Sequence, residues 1–151
     1  MHECISKIKW GKVILVSFIY LGVSAALQYI CQLLTSNYYQ MPEYFGLWNK
    51  LMMPYLGTVP PFYFTLISLG YSLLSGFVLA ILFSLIKDVW EKCFCKQISG
   101  FTLLVSSLRL VFTYIPMVML FNVPILLVAA WFITSIIIVF LSSIAFVKIL
   151  K

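Results

Sequence analysis

The sequence contains very little charge. Only 9% of its 151 residues are Asp, Glu, Lys or Arg, against about a quarter in a typical soluble domain. Hydrophobic residues make up 64% of the chain, and the mean hydropathy is +1.10. A soluble core of this size could not hide so much apolar surface. The composition excludes a soluble enzyme or a soluble nucleic-acid-binding module and predicts an integral membrane protein that contacts lipid.

Acidic residues and histidine are also scarce. The chain has four acidic residues and a single histidine, His2, and its apolar segments contain no Asp or Glu. Catalysis in a membrane usually needs paired carboxylates, a Ser/His pair or a metal cluster. No Gly-rich phosphate loop of the Walker type is present either. The sequence therefore favours a non-enzymatic protein without a cofactor or a metal site.

The apolar residues fall into four long runs, and a membrane-spanning helix needs about 20 mostly apolar residues. The first run could be a signal peptide, but it continues to Leu34, which is longer than a signal peptide's apolar region. We therefore predict a single membrane domain, residues 1–151, folded as an all-α bundle of four transmembrane helices. The predicted spans are 12–34, 61–86, 98–121 and 124–147.

The basic residues lie mostly on one side of the predicted bundle. Lys50 is the only basic residue on the other side. Because basic residues concentrate in cytoplasmic loops, both termini are predicted to be cytoplasmic. No basic stripe is interleaved with aromatic residues, so nucleic acid is not an expected partner. The residues on the basic side are Lys7, Lys9, Lys12, Lys87, Lys92, Lys96, Lys148 and Lys151.

The long loop between the first two spans carries an amphipathic pattern. Between Pro42 and Pro54, aromatic and aliphatic residues occupy one arc of about 160° on a helical projection. This pattern predicts a helix over about 43–53 that lies in the outer membrane interface. A lid that only completes the fold and a lid that serves function would share the pattern. Because interfacial aromatic residues are common in membrane proteins, we favour the first.

The second span carries five small residues at a regular spacing of four. Such a ridge lets helix backbones approach closely, which is a main route to helix association in lipid. The pattern predicts a helix contact, and the partner could be the first helix, the fourth helix or another subunit of a homo- or hetero-oligomer. The ridge residues are Ser68, Ser72, Gly76, Ala80 and Ser84.

Arg109 is the only charged residue in the interior of a predicted span, since Lys12 stands at the very start of the first. Thr102, Ser106 and Thr113 follow the same helical face, so the four residues form a polar stripe that we expect to face the bundle interior. One interpretation is structural: the arginine reaches the headgroups or hydrogen-bonds to Gln28 and hydroxyl groups. The other is functional: a guanidinium without a carboxylate partner attracts a phosphate or carboxylate from a lipid or a solute.

Two cysteines lie together in the predicted cytoplasmic loop. Cys93 and Cys95 are separated by one residue, whereas zinc sites usually use Cys-x2-4-Cys. His2 and Cys4 could in principle complete such a site. Free thiols are the more common explanation in a reducing compartment.

Three segments have a familiar pattern of apolar and aromatic residues, and they are 46–48 (GLW), 71–87 and 122–131 (NVPILLVAAW). On these segments the second half of the chain resembles a group of uncharacterised bacterial four-helix membrane proteins. This resemblance implies the bacterial inner membrane and no particular activity. Small multidrug transporters share the four-helix topology, but their signature glutamate in the first helix is absent here, where Gln28 is the most polar interior residue.

The first functional hypothesis is a small accessory or scaffold subunit that associates through its small-residue faces. The second, from a different class, is a carrier or binder of an anionic lipid or solute centred on Arg109. The third is a membrane enzyme that uses Cys93 and Cys95. Membrane lipids are expected neighbours under all three.

Overall fold

The computed structural model describes residues 9–39, 41–44, 62–90 and 93–150. Within these residues all regular structure is helical, and four helices are long and apolar enough to cross a membrane. The prediction of an all-α fold with four transmembrane helices is confirmed, and the chain is a multi-pass membrane protein. The helices are α1 (Trp10–Leu34), α2 (Ser36–Tyr39), α3 (Phe62–Ile86), α4 (Phe94–Leu120) and α5 (Ile125–Leu150).

The helix ends differ from the predicted spans mainly at the basic side. α4 begins at Phe94 rather than at 98, and α5 continues to Leu150 rather than to 147. The sequence prediction stopped at the lysines, but a helix can continue past the hydrocarbon core with its lysines at the membrane interface. Of the predicted interfacial helix at 43–53, residues 45–53 lie outside the described residues; Pro42–Tyr44 forms a 3-10 turn.

α1 lies between α3 and α5 and packs along both, while α4 packs along α5. The indole N–H of Trp131, near the start of α5, donates to the Tyr39 hydroxyl over 3.2 Å. This contact places the end of α1 beside the start of α5, so the two helices run antiparallel. α4 is the least covered of the four spanning helices.

The predicted small-residue ridge of α3 packs against α1. Ser72, Gly76 and Ala80 are buried, while Ser68 and Ser84 at its two ends are half-buried. A Cβ atom added to Gly76 would lie 2.9 Å from the Cβ atom of Tyr20 in α1. The ridge is therefore occupied within the chain, and glycine at its centre lets the two backbones approach.

A cluster of buried aromatic rings lies in the half of the bundle that ends at Lys9, Lys87 and Lys148, called the lysine end below. Phe83 of α3, Phe101 of α4 and Phe146 of α5 meet there, with ring centroids 5.2–6.1 Å apart. The Lys87 ammonium donates to the carbonyl of Leu150 over 3.0 Å, which ties the end of α3 to the end of α5. A cation at the last carbonyls of a helix is favourable.

α4 changes its winding immediately after Arg109. Leu110–Tyr114 forms a π-helical turn, and Ile115 donates to the carbonyl of Leu110 five residues earlier. Pro116 has no N–H to offer to the carbonyl of Phe112, which is four residues earlier, so the regular α-helical pattern is interrupted here. From Leu110 to Leu120 no residue of α4 is buried. The buried residues that α4 contributes to the core therefore end before Arg109, at Val105.

Candidate functional site

Arg109 connects three of the four spanning helices. Its Nη1 donates to the Ser135 hydroxyl of α5 over 2.6 Å, and its Nη2 donates to the Tyr20 hydroxyl of α1 over 3.0 Å. Tyr20 is 3% exposed and Ser135 is 6% exposed, whereas Arg109 itself is only half-buried. The guanidinium thus faces the bundle, and a part of the side chain stays accessible.

The position of this contact follows from helix geometry. Arg109 lies 15 residues after the start of α4, about 22 Å from the lysine end at 1.5 Å per residue. Tyr20 begins about 15 Å from that end by the same rise, and the hydrogen bond between the two long side chains covers the difference. Ser135 lies ten residues into α5 from the opposite end. All three side chains therefore reach a common level near the middle of the bundle.

Within the described residues, no carboxylate pairs with the charge of Arg109. Both partners in the described part of the chain are neutral hydroxyl groups. Of the four acidic residues, the structure describes Glu43 and Asp88, and both lie outside the four long helices. Placing arginine at the centre of a membrane helix costs about 2.5–3.5 kcal/mol on insertion scales. Two hydrogen bonds to a charged donor, worth about 1.5–3 kcal/mol each, can offset this cost.

The predicted neighbours of Arg109 take different positions. Gln28 donates to the Ser24 hydroxyl of its own helix over 2.9 Å, and no described hydrogen bond joins it to Arg109. Thr113 is exposed and belongs to the π-helical turn. The Ser106 hydroxyl is buried and has no hydrogen-bond partner in the described part of the chain. The two observed partners, Tyr20 and Ser135, were not among the predicted site residues.

A second polar contact lies on the side of Arg109 away from the lysine end. The Tyr114 hydroxyl donates to the carbonyl of Trp131 over 3.3 Å, and it lies within electrostatic range of Arg109. Ser135 lies four residues after Trp131, so this carbonyl is also the one to which the Ser135 hydroxyl would otherwise donate within its own helix. Trp131 in turn donates to Tyr39, and burial raises the pKa of the Tyr39 hydroxyl above its ordinary value of 10.0. Polar contacts therefore continue from Arg109 to the end of α1.

Two apolar grooves mark the lipid-facing surface. One, of about 290 Å³, lies between α1 and α3, and the other, of about 320 Å³, lies between α4 and α5. Neither groove is lined by Arg109. Gly70 lines the first groove, and a Cβ atom added there would meet no atom within 4 Å.

The cysteines of the lysine end are free thiols. Cys93 and Cys95 are both exposed, and within the described residues no group of three or more His, Cys, Asp or Glu side chains could hold a metal ion. His2 and Cys4, the other ligands considered for such a site, lie outside the described residues. Cys31 is buried in α1.

Comparisons with models of known protein families, with curated proteins and with solved structures found no match to this chain. The resemblance to uncharacterised bacterial four-helix membrane proteins stays a prediction. The sequence and the structure themselves therefore carry the functional argument.

Proposed function

We propose that this chain is a non-enzymatic accessory or scaffold subunit of the bacterial inner membrane, with both termini in the cytoplasm. It acts by packing against a second membrane protein within the bilayer. The concentration of lysines at one end of the bundle supports the orientation. Association in lipid depends on close helix packing rather than on burial of apolar surface from water.

The observation that supports this proposal is the open space beside Gly70. Gly76 and Gly100 are packed inside the chain, against Tyr20 and Trp90 respectively. Gly70 meets no neighbouring atom, although it lines the groove between α1 and α3. Glycine in a helix costs about 0.5–1 kcal/mol relative to alanine, and a close helix contact from another subunit would offset this cost.

The groove also contains Ser17, whose hydroxyl donates to the carbonyl of Val13 in its own helix over 2.7 Å. This bond leaves the groove without an unsatisfied polar group at that position, which suits an apolar partner helix. A second copy of the chain could occupy the groove through a two-fold axis, because the same patch then serves both subunits.

The experiment measures energy transfer between two labelled copies of the full chain in lipid vesicles. We expect a saturable transfer signal for the wild-type chain and a loss of at least about tenfold in association for Gly70→Leu, because leucine fills the groove. Gly22→Leu is the matched control, since Gly22 is also exposed and meets no atom within 4 Å but does not line the groove.

The control should associate like the wild type. A monomeric wild-type chain would contradict self-association, and equal losses in both variants would show that the groove is not the contact surface.

A further inference from the structure

Arg109 keeps hydrogen-bond donors that the described residues do not use. A guanidinium has five N–H groups in a planar fork, and the described contacts are one bond from Nη1 and one from Nη2. Tyr20 and Ser135 accept these bonds, so each retains its own hydroxyl hydrogen. For Tyr20, no acceptor of that hydrogen lies within the described part of the chain.

A further hydroxyl lies on the same face of α4. Ser106 is one turn before Arg109, and its buried oxygen has no partner within the described residues. Four serines of the spanning helices donate instead to a carbonyl four residues earlier, and these are Ser17, Ser84, Ser99 and Ser143. A buried polar group without a partner is rare enough in folded proteins to need an explanation.

Arg109 and the next turn of the same helical face are only partly covered by the described part of the chain. Arg109 is half-buried, and Thr113, one turn further along the same face, is exposed. No residue of α4 from Leu110 to Leu120 is buried. The π-helical turn begins directly after Arg109, and such turns are frequent at functional sites.

We propose that Arg109 binds an oxyanion, a phosphate or carboxylate group, through its guanidinium fork with the Tyr20 hydroxyl as an additional donor. The neutral hydroxyl groups of Tyr20 and Ser135 orient the guanidinium without cancelling its charge, and this is the arrangement that an anion site requires. In the low-dielectric bundle, an anion supplies the countercharge that the carboxylates of the described residues do not. The source is either a lipid headgroup or a soluble anion. This inference is independent of the association through Gly70.

The test measures the unfolding temperature of the purified full-length chain in neutral detergent, because a ligand that binds only the folded state raises this temperature in a saturable way. One arm compares sodium phosphate with sodium chloride at equal ionic strength. The other arm compares added phosphatidylglycerol with added phosphatidylcholine. The variants are Arg109→Gln, Arg109→Lys and, as a control that removes an exposed charge elsewhere, Lys148→Gln.

We expect the wild type and Lys148→Gln to show the same saturable rise in unfolding temperature. Arg109→Lys should bind at least about tenfold more weakly, because lysine lacks the planar fork. Arg109→Gln should show no rise. A rise with phosphatidylglycerol but not with phosphate supports a lipid headgroup. A rise with phosphate in the arm without added lipid supports a soluble anion. No rise in either arm, or an undiminished rise in Arg109→Gln, overturns the proposal. Should Arg109→Gln fail to fold, Arg109→Lys decides, and wild-type affinity in that variant overturns it.

Discussion

At the scale of single residues, the arginine site depends on a glycine that does not touch it. Gly76 packs against the Cβ and ring atoms of Tyr20 at 2.9–3.0 Å from the position of an added Cβ atom. The hydroxyl of the same tyrosine accepts a hydrogen bond from Arg109. The close contact of α1 with α3 therefore also fixes one partner of the charged residue on α4.

Replacing Gly76 with alanine should destabilise the protein by about 1–3 kcal/mol, since the new methyl group overlaps the start of the Tyr20 side chain rather than its flexible end. Gly22→Ala is the matched control, because a Cβ atom there meets nothing within 4 Å. Unfolding of both variants in detergent measures the difference. Equal stabilities would show that the α1–α3 contact tolerates a larger separation.

Tyr39 gives a prediction about alkaline pH. Burial raises the pKa of its hydroxyl above 10.0, so the folded state favours the neutral phenol. The associated stability is complete below the unfolded pKa, near 10, and is lost as the pH rises through the folded pKa. As the pH rises above about 10, the free energy of unfolding should therefore fall less in Tyr39→Phe than in the wild type. Unfolding measured at a series of pH values tests this. Identical pH profiles would contradict this expectation.

The interior orientation of Arg109 could be predicted from the sequence, because exposing a guanidinium to lipid is costly and Ser106 shares its face. Its partners could not. Tyr20 and Ser135 lie on different helices, and which helices neighbour α4 is not encoded in the spacing along α4 itself. The sequence does contain one signal for these partners. Arg109, Tyr20 and Ser135 all lie near the middle of their helices, so they are expected at a similar depth in the membrane.

At the scale of helices, hydropathy predicts the four elements well because a bilayer sets their length. It does not predict the π-helical turn at Leu110–Tyr114, although Pro116 indicates a missing backbone bond nearby. The sequence pattern also does not show which helix the α3 ridge contacts. That choice depends on the fit of Gly76 to Tyr20, which is a matter of three-dimensional packing.

The contact between α4 and α5 contains an interhelical hydrogen bond. The hydroxyl groups of Thr102 and Ser143 lie 3.4 Å apart, and Ser143 donates to the carbonyl of Val139. Since the hydrogen of Ser143 is used within α5, Thr102 is the donor between the helices. The neighbouring Ser142 is also buried, but its hydroxyl has no partner within the described residues.

The adjacent serines allow a matched test. Ser143→Ala should destabilise the protein by about 0.5–1 kcal/mol, the usual value of an interhelical bond in a membrane. Ser142→Ala should be neutral or slightly stabilising, because it removes a buried hydroxyl without a bond. Reversible unfolding of the two variants measures both effects. A larger loss in Ser142→Ala than in Ser143→Ala would contradict the assignment of the interhelical bond.

At the scale of the whole molecule, the two ends of the bundle differ in charge and in packing. The lysine end carries the aromatic cluster and the contact between Lys87 and Leu150. Near the opposite end, the second half of α4 has no buried residue. The charge difference is readable from the sequence, but the difference in packing is not, because hydropathy indicates which segments are apolar and not which of their residues pack against another helix.

The proposed orientation places Cys93 and Cys95 in the cytoplasm, and both thiols are exposed and so open to modification. In a chain with Cys4 and Cys31 replaced by serine, a membrane-impermeant maleimide should label neither cysteine in intact cells and both after permeabilisation. The positive control is Asn122→Cys in a chain without other cysteines, since Asn122 is exposed in the turn between α4 and α5 at the opposite end. It should react in intact cells. The opposite result, in which Cys93 and Cys95 are labelled in intact cells and Asn122→Cys is protected, would show that the orientation is reversed. The lysines would then lie on the outer side, against the usual distribution of positive charge.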